Sequence, residues 1–98
     1  MHIALAPFRP GQGVTEDVLM ATSDAFEDQF ARHQDGIIRR IPVRDGASGF
    51  ADIVFLEDET ATERVLEAEQ NSEACATFFS IMDGDAPHGV YEVIKSYE

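Results

Sequence analysis

Two stretches of this sequence, Ile3-Ala4-Leu5-Ala6-Pro7-Phe8 and Phe50-Ala51-Asp52-Ile53-Val54-Phe55-Leu56, are apolar on nearly every residue. An antiparallel strand with one wet face alternates apolar and polar side chains, so a strand without alternation is covered on both faces. The rest of the 98-residue chain offers helices for one face of a sheet and no third layer for the other. The cheapest remaining cover is a second copy of the chain, packed sheet on sheet as a two-fold homodimer. An uncovered apolar face of several hundred Å² is roughly the limit that monomers tolerate.

The elements between these runs read in order. Met1–Phe8 is a strand closed by the breakers Pro10, Gly11 and Gly13. Thr15 is placed to cap a helix whose first turn carries Glu16 and Asp17, where the helix dipole favours acids. Leu19, Thr22, Phe26, Phe30 and His33 form its apolar stripe, and Gly36 suits the left-handed residue that closes it. Ile37–Arg44 is a second strand, with Ile37, Ile41 and Val43 in phase and Arg39 interrupting their face. Pro42 cannot donate to a central ladder, so this strand belongs at an edge. Asp45-Gly46 with Gly49 predicts a hairpin turn into the third strand, Phe50–Leu56. Thr60 and Glu63 fit a capping box for a helix through Ala68, with Val65 and Leu66 inward. Asn71-Ser72 restarts the chain for a helical segment Glu73–Met82; Asp83–Gly89 is loop and Val90–Tyr97 the last strand. The sum is one α+β domain over residues 1–98, β-α-β-β-α-β in order, the ferredoxin-like pattern with a four-stranded antiparallel sheet. Its first and third strands are central.

Composition narrows the partners. Seven Lys+Arg against 19 Asp+Glu give a formal charge of −12. That balance disfavours nucleic acid and anionic membrane surfaces, both of which are gripped by basic clusters. One cysteine allows no intrachain disulfide, and no apolar run nears the ~20 residues of a membrane helix. With no signal peptide recognisable, the expected location is the cytoplasm.

Three runs carry a family resemblance. Asp35-Gly36-Ile37-Ile38-Arg39-Arg40, Phe50 to Asp58, and Asn71-Ser72-Glu73-Ala74-Cys75-Ala76-Thr77-Phe78-Phe79 resemble, in that order, the second-strand start, third strand and second helical segment of the antibiotic biosynthesis monooxygenase-like, dimeric α/β-barrel superfamily. The resemblance implies a barrel-like dimer with a cavity between sheet and helices in each protomer. It also implies cofactor-independent oxygenation of a small apolar or aromatic metabolite. The alternatives are a ligand-binding or stress-response dimer without catalysis, and haem binding as in the haem-degrading relatives. Leu56 stands where many relatives carry Trp, and this chain has no Trp.

Candidate site residues follow from chemistry. Asp52 interrupts a central strand, and a buried carboxylate is costly unless paired. It is therefore either the partner of Arg39 or Arg40 on the neighbouring strand or a general base with a raised pKa. His33 is a helix-end or cavity-lining imidazole, and His88 a loop residue beside the last strand. Tyr91 completes the polar set. Phe26, Phe30, Phe78, Phe79 and the small apolar Cys75 are candidates for lining a pocket, or for plain core. The histidines show no metal-ligand spacing, so no metal or other cofactor is expected.

Overall fold

The computed structural model describes residues 1–46, 49–83 and 88–97. Strand β1 (His2–Pro10) leads to helix α1 (Glu16–Gln29), a 3₁₀ turn (Ala31–His33), and the hairpin β2 (Ile37–Arg44) and β3 (Phe50–Leu56). Helices α2 (Glu59–Glu69) and α3 (Glu73–Ser80) follow, then two short strands, β4 (Met82–Asp83) and β5 (Gly89–Glu92). The sheet runs β2-β3-β1-β4, and β5 also pairs with β1; every pairing is antiparallel. β1 and β3 are thus central and the proline-bearing β2 is an edge, as the sequence predicts. The tip of the predicted hairpin turn (47–48) and most of the loop after Asp83 (84–87) lie outside the described residues. The turn's flanks are tied by the Asp45 and Gly49 backbones, N–H to carbonyl at 3.0 Å.

Several expectations need correction. The sheet has five strands rather than four, because Met82–Asp83 leaves α3 and pairs with Arg9 and Pro10 at the far end of β1. The last strand stops at Glu92 instead of Tyr97. Its partner runs out: His2 opposes Glu92, and Val93 N–H reaches the Met1 carbonyl at 2.9 Å. α1 ends at Gln29, and Phe30 caps it with φ −130°, so His33 falls in the 3₁₀ turn instead of on the apolar stripe. Gly36, at φ +99°, takes the expected left-handed conformation three residues beyond that turn. α2 is capped by Asp58, whose carboxylate accepts from Ala61 N–H at 2.7 Å, and not by Thr60. Thr15 does cap α1, accepting from Val18 N–H at 3.2 Å.

Strand alternation sorts the sheet's residues into two faces. Ala4, Phe8, Phe50, Val54 and Leu56 meet Leu19, Phe26, Phe30, Val65, Cys75 and Phe78 of the helical layer in one core. Ile3, Leu5, Pro7, Ile41, Val43, Ala51, Ile53 and Phe55 point the other way and remain only half-buried. Ile37 does not share the phase of Ile41 and Val43. A β-bulge lies between the Ile37–Leu56 and Arg39–Phe55 pairs. The extra residue, Ile38, lets Ile37 and Arg40 both face the helices. Among the described residues, no helix is long and apolar enough to cross a membrane.

Candidate functional site

A cavity of about 120 Å³ lies between the sheet and the helical layer. Ala4, Ala6, Phe8 and Val54 floor it; Phe26, Phe30, Val65 and Phe78 wall it; Leu66, Phe79, His88 and Val90 stand at its more exposed side. The phenyl rings support each other: Phe26 lies 5.4 Å from Phe30 and 4.7 Å from Phe78, within the range of favourable ring contacts. Three ionisable side chains besides His88 reach this apolar space, namely Arg40, Asp52 and Glu69.

Asp52 is placed by the two-residue period of β3, which puts it between the inward-facing Phe50 and Val54. It stands opposite Pro42, and Arg40 reaches it diagonally across the β2–β3 ladder. Arg40 Nε donates to Asp52 Oδ2 at 3.0 Å, Nη1 to Glu27 Oε1 at 3.1 Å and Nη2 to Ser23 Oγ at 3.0 Å. The guanidinium also lies 4.6 Å from the Phe26 ring centroid and 5.7 Å from that of Phe78. Cation–π contact of this kind is worth about 0.5–2 kcal/mol. The Arg40 side chain is 4% exposed and the Asp52 side chain 10%. Asp52 Oδ1 is buried and accepts no hydrogen bond from any described residue. One carboxylate oxygen is therefore fixed by arginine while the other remains unengaged.

Burial pushes the Asp52 carboxyl above its ordinary value, Arg40 pulls it back through charge and hydrogen bond, and Glu27 adds to the rise. Glu69, the last residue of α2, is also raised, first by burial and then by the Asp52 charge. The site is a pair of carboxyls held in apolar surroundings, with one arginine whose three nitrogens are all engaged. Such an arrangement can accept a proton, or hydrogen bonds, from a molecule in the cavity.

The structure brings together Asp52, Phe26, Phe30, Phe78, Phe79 and His88 of the residues singled out in the sequence. It separates three others. His33 is exposed, with Nε2 3.0 Å from the Asp28 carbonyl oxygen. Tyr91 is 57% exposed and sits opposite Ile3 on the sheet face away from the helices, because strand alternation gives the inward position to Val90. Cys75 is fully buried in the core beside the cavity without lining it; burial raises its thiol and a Ser72 hydrogen bond opposes the rise. Of Arg39 and Arg40, the second takes Asp52, and Arg39 instead lies 4.8 Å over Phe55 on the other face. Glu69, Glu27 and Ser23 went unrecognised as parts of this cluster. Glu69 had one legible signal, its place one turn after Val65 in an otherwise solvated acidic run. No group of three or more His, Cys, Asp or Glu among the described residues could hold a metal ion.

No protein-family model matches the chain, and no curated protein is similar to it in sequence. Solved structures are similar to it in fold. A candidate antibiotic biosynthesis monooxygenase from Chloroflexus aurantiacus superposes with a TM-score of 0.73 at 12% identity, over 99% of this chain and 96% of that one. SnoaB, a cofactor-independent oxygenase from Streptomyces nogalater, gives 0.72 at 15% identity, over 97% and 95%. A candidate antibiotic biosynthesis monooxygenase from Deinococcus radiodurans gives 0.69 at 14%, over 100% and 97%.

Proposed function

From a chain with the fold of the antibiotic biosynthesis monooxygenases, and a buried carboxylate oxygen left unengaged in an apolar cavity, we propose a cofactor-independent oxygenase acting on a small phenolic ring. The observation that carries the reading is Asp52 Oδ1. Ground-state dioxygen reacts with closed-shell organic molecules by one-electron steps, and an ionised phenol is a good electron donor. Asp52 Oδ1 takes the phenolic proton; Oδ2 stays on Arg40. The phenolate passes one electron to dioxygen, and the radical pair joins as a carbon–oxygen bond at a ring carbon that bears hydrogen. Protonated Asp52 returns its proton to the peroxide. The O–O bond then breaks as that carbon loses its hydrogen, leaving a ring carbonyl and one water. The ring loses four electrons and dioxygen gains four, so phenol plus O₂ gives quinone plus H₂O.

Size supports a single ring. A cavity of roughly 150 Å³ accepts benzene, and this one is of similar order. The half-buried apolar face formed by Ile3, Leu5, Ile53 and Phe55 supports the second half of the reading, a homodimer packed through its sheets.

The test is oxygen uptake by the purified protein with resorcinol, an electron-rich single-ring phenol. The expected result is Asp52-dependent uptake with one atom of ¹⁸O₂ in the quinone. Asp52→Asn should lower the rate at least 100-fold, the usual scale of a general base. Binding without uptake would identify a non-catalytic ligand carrier, and a Soret band on adding haem would favour the haem alternative.

A further inference from the structure

Glu69 is placed where the fold gives it nothing to gain. It occupies the last turn of α2, where the helix dipole disfavours an anion. It faces the cavity together with a second carboxyl, Asp52, and burial and that neighbouring charge both oppose its ionisation. No described residue forms an ion pair or side-chain hydrogen bond with it. The cation within the cavity, Arg40, has Nε, Nη1 and Nη2 on Asp52, Glu27 and Ser23, and its flat face lies against Phe26 and Phe78. Each of its three nitrogens already has an acceptor, so an anionic ligand would compete with Asp52, Glu27 and Ser23 for this guanidinium. A second, independent observation points the same way: the Asp52 side chain is nine-tenths buried, and its Oδ1 is unpartnered at the same cavity. The chain's −12 formal charge adds a long-range field that draws cations and repels anions.

We propose that the cavity selects a single-ring aromatic molecule carrying an ammonium group, with Glu69 taking the ammonium and Asp52 Oδ1 the hydroxyl of the ring. The inference rests on the oxygenase reading for the role of the hydroxyl, but the choice of charge stands on Glu69. A ligand cation supplies the counter-charge that the protein withholds from Glu69, and it does so in a partly desolvated place where a charge-assisted hydrogen bond is strong. A carboxylate-bearing ring meets two carboxyls and a guanidinium whose three nitrogens already serve protein acceptors.

Calorimetric titration with three para-substituted phenols of different charge tests this: tyramine (cationic), 4-ethylphenol (neutral) and 4-hydroxyphenylacetate (anionic). Tyramine is expected to bind at least tenfold tighter than 4-ethylphenol, with 4-hydroxyphenylacetate weakest. Glu69→Gln should bring the tyramine to 4-ethylphenol ratio close to one, and Glu69→Asp should retain part of it. Equal binding of tyramine and 4-ethylphenol, a preference for the anion, no binding of any of the three, or a tyramine preference that survives Glu69→Gln would each overturn the proposal. The two readings fail separately. A Glu69-dependent preference for tyramine without oxygen uptake removes the oxygenase and keeps the charge selection. Oxygen uptake on phenols that bind irrespective of charge does the reverse.

Discussion

At the scale of single residues, Arg40 joins stability to chemistry. It holds one oxygen of Asp52, and removing it leaves a buried carboxylate without its cation. Breaking a buried pair from one side costs about 3–5 kcal/mol, so Arg40→Ala should lower the midpoint of urea unfolding by that equivalent. The exposed Arg44–Glu16 pair is a contrast, because solvent screens it. Arg44→Ala should cost under about 1 kcal/mol in the same experiment. The direction of the Asp52 shift fixes the pH dependence. Burial raises its pKa, Arg40 lowers it through charge and hydrogen bond, Glu27 adds to the rise, and burial prevails. A base must be ionised to act, so the rate on resorcinol should still be rising with pH above the ordinary carboxylate value of 3.8, then level off. For stability the sign is opposite. The folded carboxyl holds its proton where the unfolded one has released it, so this contribution is present below 3.8 and is lost as pH rises through the folded value. Glu69→Gln removes a second raised carboxyl from a helix C-terminus. It should stabilise the protein at pH 7 by about 0.3–1 kcal/mol in urea unfolding, even as it removes charge selection.

At the scale of elements, the bulge in β2 decides which arginine enters the cavity. Were Ile38 paired in a regular ladder instead of bulged, strict alternation from Ile37 would turn Arg39 inward and Arg40 to the other face. Deleting Ile38 should remove the bulge and leave Ile37 on Leu56 and Arg40 on the cavity face in regular alternation. That variant should keep oxygen uptake and escape the loss in urea unfolding expected of Arg40→Ala. The sequence made β2 legible as an edge through Pro42, and Asp52 as the informative polar residue of β3. It did not reveal the bulge, because an inserted residue in an Ile-Ile-Arg-Arg run leaves the composition of both faces plausible in either register. The helix ends were hidden for a related reason. Local signals placed the caps near Thr60 and Gly36, but Asp58 lies one residue before α2, where its carboxylate can reach Ala61 N–H.

At the scale of the whole molecule, the half-buried face of the sheet carries Ile3, Leu5, Pro7, Ile41, Val43, Ala51, Ile53 and Phe55. Burying it against a second copy is expected to give twice the 10.8 kDa chain mass in sedimentation equilibrium at micromolar concentration. Ile53→Asp at the centre of that face should shift the equilibrium to monomer, since an unpaired charge would be desolvated in the interface. A stable native monomer would remove the dimer from the proposed function. Exposed Ile94 and Tyr97 extend past the end of β5, at 95% and 81% exposure. Their extended pattern reads as strand in the sequence, but the β1 ladder ends at the His2–Glu92 pair and gives them no partner among the described residues.

The sequence by itself determined the order of the elements apart from the short β4, the central position of β1 and β3, the edge position of β2 and the presence of one costly carboxylate in an apolar strand. These follow from hydrophobic period and from proline and glycine chemistry, which act over a few residues. Tertiary structure alone decided that Arg40 rather than Arg39 meets Asp52, that Val90 rather than Tyr91 faces the cavity, and that Glu69 joins the pair from another element. Those choices depend on a bulge, on the register of a four-residue strand and on the length of α2. Each moves a side chain across the sheet or around the helix without changing the local pattern that the sequence displays.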